Sequence, residues 1–536
     1  MFASSSLLGF VLLGWFAVLV IFVLVVGLFW RWLVVRGEQA LVVIHSLWHS
    51  QTRAFIANPF VRSWAHRHAR ALKYVSNRLI RKEFTGLPLT ILGLLLFYTL
   101  ILLIGLTSNY LSGEPIVAID LRLDNLLFAF REATLLRFFY TVTLFGESGI
   151  IIGMTLLITI VLWIKRQRLF IATLLLTLAV SEGMTFFAKI IFHRERPDLA
   201  LRAIAESSFS FPSGHATTAA AFYGFLAYLI IRTHKRWFVR VNAFFFALIA
   251  ISLIDLSRLY LGVHYLSDVL AGDLVGIAGL LFSISVTEWL FSKNKQKPDT
   301  FPLSLMGGLG IALALIVTGV SFFTASPWVH PTPVTAMQVK LADVPSLFDL
   351  GKLPRSTESL LGSPQEPTDV IIVANDACFS TVFQKANWTL ADTVSVASLK
   401  KAIGAALFNA SDLTAPVTPS FYNARPNDYG FEKETEKKSV RARHHARFWK
   451  TGYTTTEGSL FVGTVSLDTG IKWGITHAIA PAIDTERDLL VSDLQKAGAT
   501  TVQIIKLVPP TLGQNFTGDA FFTDGKATML TFTCTR

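Results

Sequence analysis

Cysteine occurs only twice in the 536 residues, at Cys378 and Cys534. Neither stands in a closely spaced pattern such as C-x-x-C, which argues against a zinc site, and no metal or other cofactor is expected. Charge is sparse as well: Asp, Glu, Lys and Arg make up 16% of the chain against 52% hydrophobic residues, too apolar a balance for a soluble protein. Acids are scarcer than bases, 36 against 48, leaving a net charge of +12. That surplus would suit nucleic acid, but the basic residues cluster in loops beside apolar runs, which is the pattern of membrane orientation. No nucleic-acid partner is expected; the expected partner is the bilayer. Internal repeats and low-complexity tracts are also missing.

What the chain has in quantity is apolar runs. Phe occurs 43 times and mean hydropathy is +0.51, and several runs approach the roughly 20 residues a helix needs to cross a bilayer. About eight spans are expected, near 7–33, 87–106, 150–164, 169–191, 216–231, 238–256, 265–291 and 303–323. The first lacks the positive stretch and small-residue cleavage site of a signal peptide and reads as a transmembrane helix within residues 1–35. Residues 36–85 form a basic linker, with Trp48, Phe55, Phe60 and Trp64 interleaved among its cations. By the positive-inside rule the linker is cytoplasmic, either resting on the membrane surface or simply solvated. The groups Lys165/Arg166/Arg168, Arg232/Lys235/Arg236/Arg240 and Lys293/Lys295/Lys297 fall on the same side. This count puts the loop with Asp120 and Asp124, and everything after the last span, on the non-cytoplasmic side of the membrane. The mixed segment between Asp120 and Phe145 reads either as an amphipathic piece at the outer interface or as a packing element of the bundle.

Three polar islands interrupt the apolar runs: Lys189 to Pro197, Pro212-Ser213-Gly214-His215, and Ser257-Arg258 to His264 and Asp268. The same topology puts all three on one membrane face. Polar groups there are retained mainly where they pair or do chemistry. Lys189, Arg196 and Arg258 would repel one another unless an anion sat among them, and a phosphate fits the forks of two arginines. Ser213 and Gly214 stand at an expected helix start, whose free N–H groups also favour phosphate. His264 and Asp268 are four apart, so on a helix the carboxylate can hold one ring nitrogen and leave the other free to attack. His215 has no such partner in its own segment and suits a general acid. Taken singly, a histidine near a helix start is usually structural and a cation at a span end is usually a snorkelling anchor. Their convergence on one face weakens that reading. Glu182 and Asp273, inside apolar runs, are expected to be supporting groups with partners of their own.

The patterns K-x6-R-P, P-S-G-H and S-R-x5-H-x3-D stand here in order and without departure, and they resemble those of the type 2 phosphatidic acid phosphatase (PAP2) superfamily. The resemblance implies an all-α polytopic helical bundle, with a six-helix phosphatase core over residues 86–292 and about two extra spans. It implies that Lys189, Arg196, Ser213, Gly214 and Arg258 bind phosphate, and that His264 is the nucleophile, Asp268 its partner and His215 the acid. The activity implied is metal-independent hydrolysis of a membrane lipid phosphate through a phosphohistidine. Phosphatidic acid, phosphatidylglycerol phosphate, undecaprenyl pyrophosphate and lipid A phosphates are all open as substrates. Lipid-to-lipid phosphate transfer, or a secretion-associated scaffold with an inactive core, are the alternatives.

Residues 293–326 hold a linker and the last span. Past Pro327, Pro331 and Pro333 the composition becomes that of a soluble domain, 335–536, expected to be α+β. Strands are expected at 369–374, 459–466 and 502–508, a hairpin turn at Asp524-Gly525, and an N-capped helix from Asp484 closed by Gly498. Arg443, His445, Arg447 and Trp449 alternate, so a strand there turns all four to one face. That face suits an anionic head group or an internal polar network with Asp468 or Asp484. With later segments around His477 and Asp484 it is similar to the LssY-type C-terminal domain. That likeness implies no settled activity. On an oxidising side of the membrane, Cys378 and Cys534 are expected to pair.

Overall fold

The computed structural model describes residues 9–78, 84–113, 115–294, 302–323, 336–392, 398, 414, 417–439, 442–472, 476–515 and 517–532. Lys82, Lys295, Lys297, the prolines Pro327, Pro331 and Pro333, and Cys534 lie outside them. The chain divides into two compact units, one of residues 25–117 and 133–330, the other of 1–24, 118–132 and 331–536.

The helical unit begins within α1 (Gly9–Ala57) and continues through α2 (Pro59–Arg67) and α3 (Ala69–Arg78). The stretch expected to be a linker is thus helical as far as Arg78. In α2, Pro59 opens the helix and the Asn58 side chain accepts from the Phe60 N–H, a side-chain cap at the N-terminus. Next come α4 (Leu87–Ser112), α5 (Pro115–Ala129), α6 (Ala133–Leu144), α7 (Ser148–Ile164), α8 (Arg168–Phe192), α9 (Gly214–Thr233), α10 (Trp237–Tyr260), α11 (Leu266–Asn294) and α12 (Leu303–Phe323). Five of these, α4, α8, α9, α10 and α11, are long and apolar enough to cross a membrane; α6 and α7, bent by 40° at a short break, make a sixth if taken as one span. The protein is a multi-pass membrane protein. The first expected span starts before the described residues. In the last, the apolar stretch among the described residues is Gly307–Val320, shorter than a crossing.

Helix α9 is the centre of this unit, with Ala216, Ala219, Phe222, Phe225 and Leu229 fully buried. Small residues on α11 let the two helices approach closely: a Cβ on Gly272 would come within 2.5 Å of the Ser213 carbonyl, and one on Gly276 within 2.5 Å of the Thr217 carbonyl. This contact places the start of α9, with Ser213 and His215, beside the start of α11, with Asp268. Asp273 faces the Asp255 carboxyl of α10, and Glu182 accepts from Thr218 Oγ1 of α9 at 2.6 Å.

The second unit holds the C-terminal domain. A nine-stranded sheet runs in the order β12 (Thr500–Lys506), β15 (Lys526–Phe532), β4 (Val370–Ala374), β10 (Gly458–Lys472), β9 (Ala442–Thr455), β8 (Tyr429–Ser439), β5 (Thr389–Leu390), with β1 (Met337–Gln338) on β9 and β11 (Thr476–Ile479) on β10. A four-stranded sheet runs β3 (Pro364–Pro367), β2 (Ser356–Glu358), β6 (Phe421–Tyr422), β7 (Arg425–Pro426), and β13 (Thr511–Gln514) pairs β14 (Ala520–Thr523). Strand β4 is buried along its whole length, as its unbroken apolar run requires in the middle of a sheet covered on both faces. One face packs α13 (Val344–Asp349) with Trp449, Leu460 and Met529; the other packs α14 (Asp376–Lys385) and α15 (Ile483–Lys496) around Phe379, Phe383, Phe448 and Phe461. Cys378 of α14 is disulfide-bonded.

Two expectations for this domain fail. Asp524-Gly525 is a turn, with Gly525 at φ 76°, but it joins β14 to β15, which pair with β13 and β12 and not with each other. Asp484 does not cap α15; it lies inside the first turn, where it accepts from Thr523 Oγ1 at 2.9 Å and takes part in an ion pair with Arg487 at 3.2 Å.

The alternating face of β9 is an internal network. Arg443 bonds Glu432 at 2.5 Å and approaches Asp468 at 3.4 Å, while His445 Nδ1 lies 2.7 Å from Asp468. Ser466 Oγ and Arg447 Nη1 reach His445 Nε2 at 2.9 and 2.6 Å, and Trp449 Nε1 donates to the Arg425 carbonyl at 3.1 Å. Arg443→Leu leaves the fully buried Glu432 carboxylate without this ion pair. A loss of about 3–5 kcal/mol is expected, read by hydrogen exchange across β8–β10 in the full-length protein. Unchanged protection would contradict it.

The mixed segment after Asp120 is also resolved. Helix α5 buries its charged residues, Asp120, Arg122 and Asp124. Arg122 pairs with Glu358 of β2, and Asn125 Nδ2 donates to the Ala424 carbonyl at 3.1 Å. By its contacts α5 groups with the C-terminal domain, not with the helices flanking it in sequence.

Candidate active site

The residues expected to form the site come from the ends of four helices and the loops between them, all within the helical unit. Lys189 lies in the last turn of α8 and bonds the Phe209 carbonyl, with Ser208 Oγ at 3.3 Å. Past the helix the chain turns at His193, at φ 45°, and runs without regular secondary structure through Arg194 and Arg196. Arg196 ties the loop together: its Nε donates to the Ser208 carbonyl at 2.6 Å and its Nη1 to the Val263 carbonyl at 2.7 Å. The same Nη1 lies 3.1 Å from His264 Nε2. Arg258, at the end of α10, is fully buried; its Nη1 donates to Thr143 Oγ1 at 2.9 Å, while its Nε has no hydrogen-bond partner.

Ser213 precedes the first residue of α9, Gly214, yet its side chain caps nothing and its buried Oγ is unpartnered. The first N–H groups of a helix have no partner within the helix. Buried donors without partners beside several cations make a site suited to an anion. His215, in the first turn of α9, does have a partner, supplied by another part of the chain: Glu147, between α6 and α7, lies 3.2 Å from its Nε2.

His264 sits in the turn between α10 and α11 and is 1% exposed. Burial first, then Arg196, Arg258 and Lys189, hold its imidazole well below the usual 6.5, so it is neutral at pH 7. Arg196 stays cationic there, although burial draws it down to about 10. Asp268 reaches back to the Tyr265 N–H at 2.9 Å, the reciprocal bond of a capping box. Its carboxylate also accepts from Ser210 Oγ and from Arg194 Nη1 at 2.6 Å. It lies 3.5 Å from His264 Nδ1, with Ser210 Oγ at 3.4 Å from the same nitrogen. The expected His264/Asp268 pair is therefore a three-sided arrangement that includes Ser210.

All eight sequence-derived residues fall in this one region. Sequence reasoning assigned nothing to Arg194, Ser210, Glu206, Glu147 or Thr143. Arg194 is held between the rings of Tyr110 and Tyr265, 4.5 and 4.4 Å from their centroids. Its position two residues before Arg196 was the only signal available. Glu206 pairs with both Arg258 and Arg196, the latter at 3.6 Å.

A family model described as PAP2 superfamily matches residues 170–292, and one described as LssY C-terminus matches residues 350–527. Phosphatidylglycerophosphatase B of Bacillus subtilis is 30% identical over 162 residues, which cover 29% of this chain and 76% of that protein. An undecaprenyl-diphosphatase of Sulfolobus acidocaldarius is 27% identical over 188 residues, 34% of this chain and 85% of that one. The crystal structure of a transmembrane PAP2-type phosphatidylglycerolphosphate phosphatase from Bacillus subtilis aligns with 26% identity over 37% of this chain and 96% of that chain, at a TM-score of 0.33.

Proposed function

Since the chain belongs to the PAP2 superfamily and is a membrane phosphatase, we propose that it removes a terminal phosphate from a membrane lipid through a phosphohistidine on His264. One observation carries the reading: neutral His264 lies buried with one ring nitrogen beside Arg196 and the other beside Ser210 and Asp268. Lys189, Arg196, Arg258, Ser213 and the N–H groups at the start of α9 hold the phosphate oxygens and absorb their charge. His264 Nε2, turned to its target as Arg196 moves onto the phosphate, donates its lone pair to phosphorus. The N–P bond forms as the P–O bond to the lipid breaks, and His215 delivers a proton to the departing oxygen. Water then attacks phosphorus, its proton passes to His215, and the N–P bond breaks to release phosphate and restore neutral His264.

The relatives' names point to phosphatidylglycerol phosphate and undecaprenyl diphosphate as substrates to test first, with phosphatidic acid and lipid A phosphates beside them. The loop charges support an active site on the periplasmic face of the inner membrane, and the Cys378 disulfide supports a C-terminal domain on that same side. The test is phosphate release by the purified full-length protein from these four lipids in mixed micelles. Release from at least one, abolished by His264→Ala, is expected. A folded wild type inert on all four overturns the proposal.

A further inference from the structure

Glu206 is a carboxylate whose chemistry opposes the proposed use of the site, because it occupies two of the cations meant for phosphate. It sits in the loop between α8 and α9, two residues before Ser208, and its side chain is 23% exposed. One carboxylate oxygen bonds Arg258 Nη2 and the other lies 3.6 Å from Arg196 Nη2. Bridging two guanidinium groups with two oxygens is what a bound phosphate does. The two groups bridged are the arginines of the first and third motifs. Burial pushes the Glu206 carboxyl up, but Arg258 and Arg196 outweigh it and hold it at about 2. It is therefore ionised throughout the range in which the enzyme works.

We infer that Glu206 is a tethered stand-in for the substrate phosphate, which must displace it from Arg196 and Arg258 before reaction. This rests on the phosphatase reading and adds a selection rule to it. A terminal phosphate brings up to two negative charges and three free oxygens against one charge and two oxygens on Glu206. It can therefore take both arginines. A phosphodiester brings one charge and two free oxygens, no more than Glu206 already supplies, and loses to a competitor that never diffuses away. Glu206 thus excludes the diester phosphates of ordinary bilayer lipids, which greatly outnumber any terminal phosphate at the site. It also keeps two buried cations compensated between turnovers.

The test uses the full-length protein in detergent micelles and inorganic phosphate as the probe. If the displaced arrangement is about one-tenth populated, Glu206→Gln is expected to lower both KM for the lipid phosphate and the inhibition constant of inorganic phosphate about tenfold. The turnover number should change far less. Phosphate should also raise the melting temperature at about tenfold lower concentration, a readout that needs no turnover. Glu206→Asp keeps the charge on a shorter arm and should give a smaller shift in the same direction. It also carries the test should the Gln variant not fold. Phosphate affinity unchanged in the variants overturns the inference, and weaker affinity does so too, because Glu206 would then be organising the arginines. If the wild type releases phosphate from no lipid, the functional reading fails, while the melting experiment still decides whether Glu206 competes with phosphate.

Discussion

His264→Ala is expected to lower lipid phosphate release by at least about 10⁴-fold, because it removes the atom that takes the phosphoryl group. The loss should come with no covalent intermediate. Brief incubation with a lipid labelled in its phosphate, stopped in alkaline denaturant where phosphohistidine survives, should leave label on the wild type and none on the variant. His215→Ala should behave differently. It is expected to be slower by about 10²–10⁴-fold on a lipid, whose alkoxide leaves poorly, and much less impaired on p-nitrophenyl phosphate, which needs no proton to leave. The pH profile separates the roles again. His264 is held well below 6.5, and a group with a lowered pKa stays deprotonated until the pH falls through that lowered value. An acid limb of kcat/KM near 6.5 assignable to His264 would contradict the assignment, as would label on the Ala variant.

The second large effect concerns Arg194. Asp268 is fully buried, and its strongest partner is the Arg194 guanidinium at 2.6 Å, which also donates to Ser267 Oγ at 2.7 Å. Arg194→Met removes that charge and leaves the carboxylate behind. Breaking a buried pair from one side is expected to destabilise by about 3–5 kcal/mol, seen as a lower melting temperature of the purified protein. Replacing both partners, in Arg194→Met with Asp268→Asn, removes the stranded charge and should restore most of the lost stability. It should not restore activity, because Asp268 also organises Ser210 beside His264 Nδ1. A single Met variant that melts like the wild type would show that the ion pair contributes little.

The contrast between these residues explains how much could be read beforehand. Lys189, Ser213, His215, Arg258 and Asp268 lie on or at the ends of helices whose apolar runs are unmistakable, so counting spans and loop charges was enough to expect them at one end of the bundle. Arg194, Glu206 and Ser210 belong to a loop of about twenty residues without periodicity. Its shape follows from Arg196 gripping the Ser208 and Val263 carbonyls, contacts between segments far apart in sequence. Glu147 was hidden for the same reason: its partner lies 68 positions away. In the C-terminal domain the strands were legible from alternation or, for β4, from an unbroken apolar run, whereas pairing was not. A Gly-containing turn between two short strands looks the same whether they join each other or enter different sheets, and Asp524-Gly525 does the latter.

Helix α5 imposes an order on biosynthesis. Arg122 and Glu358 are 236 positions apart, and at roughly 5–20 residues per second the second is made on the order of ten or more seconds after the first. During that interval Arg122 cannot occupy its final environment, because the strand that receives it has not been synthesised. A ribosome stalled before β2 would therefore hold a chain whose later helices can already gather while α5 waits. Synthesis of β2, and not of the last helix, is what first supplies Arg122 with its partner.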